Sequence, residues 1–176
     1  MDLLIRFKPW HLFFLLLIPI MFSWFSTFAG IWDSVFFVFY TSWTYAIGIK
    51  MNALLPEASR PGTTSFKIHF WLLVGFTLFA LNILLYIQLP TISEGYNLLF
   101  QLILILIYFY LLFNVWMFAA RMLESHFQKG IANRSDSLKA FFCFWFFPFG
   151  IWHIQPAVQK VLAKYEAPEA STDLPA

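Results

Sequence analysis

Apolar positions in this chain fall in long unbroken runs. They show neither the i, i+3, i+4 stripe of a soluble helix nor the alternation of a half-buried strand. Four runs reach the length of about 20 residues that a helix needs to cross about 30 Å of hydrocarbon. They predict helices over about 10–29, 34–54, 66–89 and 96–120. Polar and helix-breaking residues mark the joints. Between the first two runs, "GIWDS" reads as a tight turn, with Gly30 releasing one helix and Asp33 or Ser34 capping the next. "PEASRPGTTSFK" (56–67) and "PTISEGYN" (90–97) read as loops. Pro90 ends the third helix and Pro19 bends the first. "RMLESHFQKG" extends the fourth helix as far as Gly130.

A fifth apolar run, "FFCFWFFPFGIWHIQP" (141–156), has another character. Pro148 and Gly150 interrupt it, and His153, Gln155 and Pro156 make its last third polar. The pattern predicts a re-entrant or interface-lying hairpin over about 140–155, with a kinked fifth crossing as the alternative. Beyond it, "PAVQKVLAKYE" predicts a surface helix over about 156–166 that starts on Pro156. Val158, Val161, Leu162 and Tyr165 share one face, and Lys160 and Lys164 lie on another. Residues 167–176 read as a disordered tail. The fold expected is an all-α membrane protein. It has four transmembrane helices, a C-terminal hydrophobic hairpin and a short amphipathic helix, in one domain spanning 1–166.

Charge favours the hairpin over a fifth crossing. Arg6 and Lys8 precede the first run, and Lys50, Arg60 and Lys67 flank the second loop. Arg121, Lys129, Arg134 and Lys139 follow the fourth run, and the two remaining turns carry only Asp33 and Glu94. By the positive-inside rule, both ends of the four-helix bundle face the cytoplasm. A re-entrant hairpin keeps Lys160 and Lys164, and so all 11 Lys and Arg, on that side. A fifth crossing would carry the last two outside. Backbone broken at membrane depth needs protein or a wet cavity beside it, so the hairpin is expected to dock on the bundle.

Composition agrees: 61% of residues are hydrophobic and 11% charged, with mean hydropathy +0.73. A soluble domain carries about 25% charged residues. The basic start followed by Leu12–Phe22 resembles a signal peptide, but Phe25 and Phe28 crowd a cleavage at Ala29, so the segment is read as a retained first helix. The single Cys143 excludes an internal disulfide and reads as a small apolar packing residue. "NRS" at 133–135 matches a glycosylation sequon but falls on the cytoplasmic side. The net charge of +2 gives no reason to expect nucleic acid.

Catalytic signatures are missing, and none of the nine acidic residues falls mid-span. His11, His69, His126 and His153 all fall near the cytoplasmic ends. His11, His69 and His153 are the candidates for holding a haem or metal, although no two histidines have a local ligand spacing. The plainer reading places them, with Trp10, Trp24, Trp32, Trp43, Trp71 and Trp116, in the interfacial belt. Asn82 falls level with Tyr108, and Gln88 with Gln101, as interhelical hydrogen-bonding pairs; Asn114 is placed to meet the hairpin.

One segment carries a resemblance. Pro148, Gly150, Ile151, Trp152, Ile154, Gln155 and Pro156 resemble the C-terminal signature of small uncharacterised bacterial multi-pass membrane proteins, Pro-x-Gly-Ile-Trp-x-Ile-Gln-Pro, with His153 at its open position. In that pattern a basic residue often follows the second proline; here Ala157 does. The resemblance implies a bacterial inner-membrane setting and no activity. The expected function is that of a non-enzymatic accessory, scaffold or regulatory subunit, with a membrane-protein partner or a second copy beside it in the bilayer. The alternatives are a haem- or metal-binding redox protein and a small lipid-handling protein or transporter.

Overall fold

The computed structural model describes the backbone of residues 2–26, 29–86, 94–128 and 130–166. Side chains are described for 3–26, 29–79, 99–128 and 130–166. The described residues form seven α-helices and one 3-10 turn, with no strand. They are α1 (Asp2–Arg6), α2 (Pro9–Phe25), α3 (Ala29–Leu54), α4 (Thr64–Tyr86), α5 (Glu94–Glu124), α6 (Leu138–Trp145) and α7 (Phe149–Glu166), with the 3-10 turn at Glu57–Ser59. The chain is therefore all-helical, as its apolar runs predict. Leu99–Glu124 is the one helix among the described residues long and apolar enough to cross a membrane, and Pro9–Phe25 and Thr64–Phe79 are shorter apolar helices. The expected tail at 167–176 lies outside the described residues.

α3 is the central helix. It packs against α2 on one side and α4 and α5 on the other, and it also touches α1 and α7. α6 lies on α5, and α7 crosses α6 and runs along α1 and α2. Gly48 lets three helices close up, because a Cβ there would stand 2.7 Å from the Phe66 ring and 3.3 Å from Phe118. The core is built from Leu12 and Leu16 of α2, Trp43, Ile47 and Met51 of α3, and Leu73 of α4. Val115 and Met122 of α5, Phe144 of α6, and Ile151 and Val158 of α7 complete it.

Three boundaries differ from those expected. The "GIWDS" stretch is not a turn, since α3 already begins at Ala29. Ser34 does not cap a helix start; its hydroxyl donates to the Gly30 carbonyl one turn back (2.8 Å), inside the helix. α5 stops at Glu124, six residues before Gly130. Ser125 ends it by donating to the Arg121 carbonyl (2.6 Å) and accepting from the Ala132 amide (2.9 Å), which folds the chain back. Pro156 does not start a surface helix, because α7 runs through it from Phe149 to Glu166. The returning arm of the hairpin and the expected surface helix are thus one element. Pro156 is tolerated on its exposed face, at the cost of one backbone hydrogen bond.

The hairpin itself is short and tightly crossed. α6 is amphipathic: Ala140, Phe141 and Phe144 are buried, whereas Phe142, Trp145 and Phe146 are exposed. The bend covers Phe146–Pro148, where the Phe146 amide donates to the Phe142 carbonyl (3.0 Å) and the Gly150 amide to the Phe146 carbonyl (2.9 Å). Just past the bend, α7 presses on α6 at Gly150. A Cβ on Gly150 would lie 1.5 Å from the Cys143 carbonyl oxygen, which is backbone and cannot step aside. Gly150→Ala is expected to lower the thermal midpoint in detergent by about 5–10 °C, by overpacking the crossing. Gly75→Ala, which meets open space on α4, should leave it within about 2 °C. Differential scanning of the two variants checks the contrast.

Candidate functional site

The polar residues of the fifth run converge on one side chain. α1 ends at Arg6 and α2 begins at Pro9, so the last carbonyls of α1 have no helical donors ahead of them. The carbonyl of Ile5 would normally take the amide of the residue four places on, which is Pro9 and has no N–H. The His11 amide goes to Lys8 (3.0 Å), which leaves the Phe7 carbonyl unclaimed as well. Gln155, fully buried, meets both needs. Its Nε2 donates to the carbonyls of Ile5 (2.8 Å) and Phe7 (2.7 Å). Its Oε1 accepts from Trp43 Nε1 at 2.9 Å. One turn further along α7, Gln159 Nε2 donates to Phe7 as well (2.8 Å). A buried amide left unpaired costs about 1–3 kcal/mol, so this junction is stable only with every partner in place.

The other arm of the hairpin is held by α3 too. Tyr40 donates its hydroxyl to the Phe144 carbonyl, one of the free carbonyls at the end of α6. Around it stands an aromatic cluster. Phe147 packs edge-on against Phe36 (5.0 Å between centroids) and Tyr40 (5.5 Å). Trp116 of α5 meets Tyr40 (5.9 Å) and Trp145 (5.5 Å) edge-on. On the outer side, Trp152 packs edge-on against Trp10 of α2 at 4.5 Å. The signature residues therefore have structural work: Gly150 the crossing, Trp152 the contact to α2, Gln155 the junction. Pro148 sits at the bend, while His153 and Pro156 are exposed.

The candidate histidines are dispersed. His11 is exposed on α2, where its ring meets Phe7 edge-on (6.3 Å). His69 is on α4, and α2 and α4 pack on different neighbours, sharing only α3. His126 Nε2 donates to the Met51 carbonyl (2.8 Å), and its ring meets Tyr165 of α7 edge-on at 5.6 Å. No three His, Cys, Asp or Glu side chains gather in a metal-binding group among the described residues. Asn114 does not meet the hairpin. It donates to the Tyr110 carbonyl of its own helix (2.8 Å) and faces His69 across a groove between α4 and α5. Tyr108 packs among Phe37 and Phe76, and Gln101 is exposed. The side chains of Asn82 and Gln88, their expected partners, lie outside the described residues.

Of the tryptophans read as interfacial, Trp10, Trp24 and Trp71 are exposed, and two others are not. Trp43 and Trp116 are buried, because the hairpin folds over them. Compared with protein-family models, with curated proteins and with solved structures, the chain matches none of them.

Gln155→Leu keeps the volume but leaves the buried Ile5 carbonyl and Trp43 indole without these hydrogen bonds, the Phe7 carbonyl keeping Gln159, and is expected to cost about 3 kcal/mol. Gln159→Leu leaves Gln155 on the Phe7 carbonyl and should cost about 1 kcal/mol. Denaturant unfolding followed by tryptophan fluorescence reports both, and Trp43 emission should shift only in the first variant.

Proposed function

We propose that the chain is a non-catalytic accessory, scaffold or regulatory subunit of an assembly in the bacterial cytoplasmic membrane. In this reading α2, α3, α4 and α5 cross the bilayer, and α6 and α7 form a hairpin that enters from the cytoplasmic side and returns. One observation carries the topology. The far end of α7 lies with the N-terminus and with the ends of α3 and α5: Arg6 pairs with Glu166 at 2.6 Å, and His126 links Tyr165 to the Met51 carbonyl. Phe147, at the bend, packs on Phe36, fourteen residues before Lys50 and so about 20 Å up the same helix. A segment that reaches that depth and ends back at Glu166 turns round inside the layer. The exposed Phe142, Trp145, Phe146 and Phe149 at the bend suit hydrocarbon.

The lipid-facing surface supports the same reading. Only 33% of the crossing stretch of α5 is buried; Leu102 and Leu106 are exposed, and so are Phe109, beside Trp145 of α6, and Tyr110, beside His69 of α4. In water such a face would not persist uncovered. The buried hydroxyls of Thr41, Thr44 and Thr77 return to carbonyls of their own helices, and Gln155 and Tyr40 serve the hairpin. The buried polar groups that join elements thus serve to hold the hairpin in place, which supports a structural role. The long outer face of α5 is where a second membrane helix would lie.

The test is in-membrane photo-crosslinking from Leu106 and Phe109 followed by mild-detergent purification. A discrete protein adduct of fixed mass, the same from both positions, is expected. Adducts to lipid alone from both positions, with a monomeric chain in detergent, would remove the subunit reading.

A further inference from the structure

The groove between α4 and α5 carries charge that nothing in the fold balances. It is a cavity of about 120 Å³ at the end of the bundle that bears the 55–63 and 125–137 connections. Ser65 and His69 line it from α4, and Asn114 and Arg121 from α5. Arg134 reaches it from the connection after α5. That connection is fixed in place: Arg121 Nε donates to the Ala132 carbonyl (3.2 Å), and Ser137 donates its hydroxyl to the Asn133 carbonyl (2.8 Å). Two guanidinium groups are thereby brought to one small cavity. Neither has a carboxylate partner among the described residues. Asp136, the acid nearest Arg134 in sequence, accepts from the Asn133 amide (3.4 Å), and neither it nor Glu124, the acid nearest Arg121, lines the cavity. Like charges held together without a counter-ion raise the affinity for an anion, and the planar arginine fork suits phosphate oxygens.

The cavity is also graded. Phe113, which lines it from α5, is exposed, and so is Tyr110, one turn along α5 from Asn114. His69 stands edge-on to Tyr110 at 5.8 Å, between the basic end and the greasy end. A polar pocket that runs into a lipid-facing surface matches a molecule with a phosphate at one end and acyl chains at the other.

We propose that this groove binds a phosphate group, with Arg121 and Arg134 as its charge partners and Ser65 and Asn114 as further donors. The phosphate is that of an anionic phospholipid headgroup or a free phosphate ion. The inference goes beyond the subunit reading and shares with it only the placement of the bundle in a membrane.

The experiment uses the full chain in a phosphate-free maltoside detergent and follows its thermal midpoint. Three probes are added separately: phosphatidylglycerol, diacylglycerol with the same chains, and inorganic phosphate. Phosphatidylglycerol should raise the midpoint by about 5 °C, diacylglycerol should not, and Arg134→Gln should require about tenfold more lipid for the same shift. Equal stabilisation by inorganic phosphate, also weakened by Arg134→Gln, supports the site with the free ion as its ligand. Equal shifts from phosphatidylglycerol and diacylglycerol, no shift from any probe, or shifts indifferent to Arg134→Gln would each overturn the proposal. Arg134 is exposed and holds no part of the core, so the variant should fold with an unchanged midpoint when no probe is present. Arg121→Gln is the second variant, read against its own midpoint because it also releases the Ala132 carbonyl. These outcomes are read on the isolated chain, so they stand or fall separately from the crosslinking test.

Discussion

A missing amide at Pro9 organises this protein. It leaves the end of α1 with carbonyls that no helix can satisfy, in a place from which the fold excludes water. Gln155 satisfies them from 150 residues away and takes the Trp43 indole as its third partner. Because its partners lie on α1, on the α1–α2 link and on α3, this one side chain of α7 fixes where the N-terminal segment, the central helix and the returning arm meet. The direction of α7 follows from that. With Gln155 anchored beside Ile5 and Phe7, the rest of α7 can only run outward past the N-terminus, where Glu166 finds Arg6. The bend at the other end is held by the Tyr40 hydroxyl and by a crossing that only glycine at 150 permits.

The hairpin of α6 and α7 and the longer helices are therefore parts of one packed unit. The aromatic residues of 141–152 are divided by function. Phe141 packs on Phe113 and Trp116 of α5 and Phe144 on Trp43 of α3, Phe147 and Trp152 lock the arms to α3 and α2, and Phe142, Phe146 and Phe149 remain exposed. An aromatic-rich run can serve these purposes at once because its rings pack edge-on in any direction, while their apolar faces tolerate lipid.

Much of this was legible in the sequence. Run length gave the main helices, and the placement of lysines and arginines favoured a hairpin whose end returns to the basic side. What was not legible depended on partners distant in the chain. Gln155 and Gln159 read only as polar residues that weakened a span, because the demand they meet is created at the break between α1 and α2. Trp43 and Trp116 read as interfacial, because nothing local says that a hairpin will cover them. Ser34 and Ser125 misled in opposite senses: one looked like a cap and bonds within its helix, the other looked helical and ends α5. The candidate site divided in the same way. Sequence placed His153 and Gln155 together with His11, His69 and Asn114, and the fold separates a structural junction at Gln155 from a basic groove at His69 and Asn114. The two arginines of that groove were visible only as orientation signals, since their meeting depends on the turn that Ser125 makes.

The central claim is that the chain turns back at Phe146–Pro148 and returns to the side of its N-terminus. Single cysteines at Lys8 and Lys160, in a Cys143→Ser background, probe it in sealed inverted vesicles with a membrane-impermeant maleimide. Both positions should label from the cytoplasmic face without detergent. Labelling at Lys8 with protection at Lys160 until the vesicles are opened would mean that 140–159 crosses the bilayer, and would contradict the account.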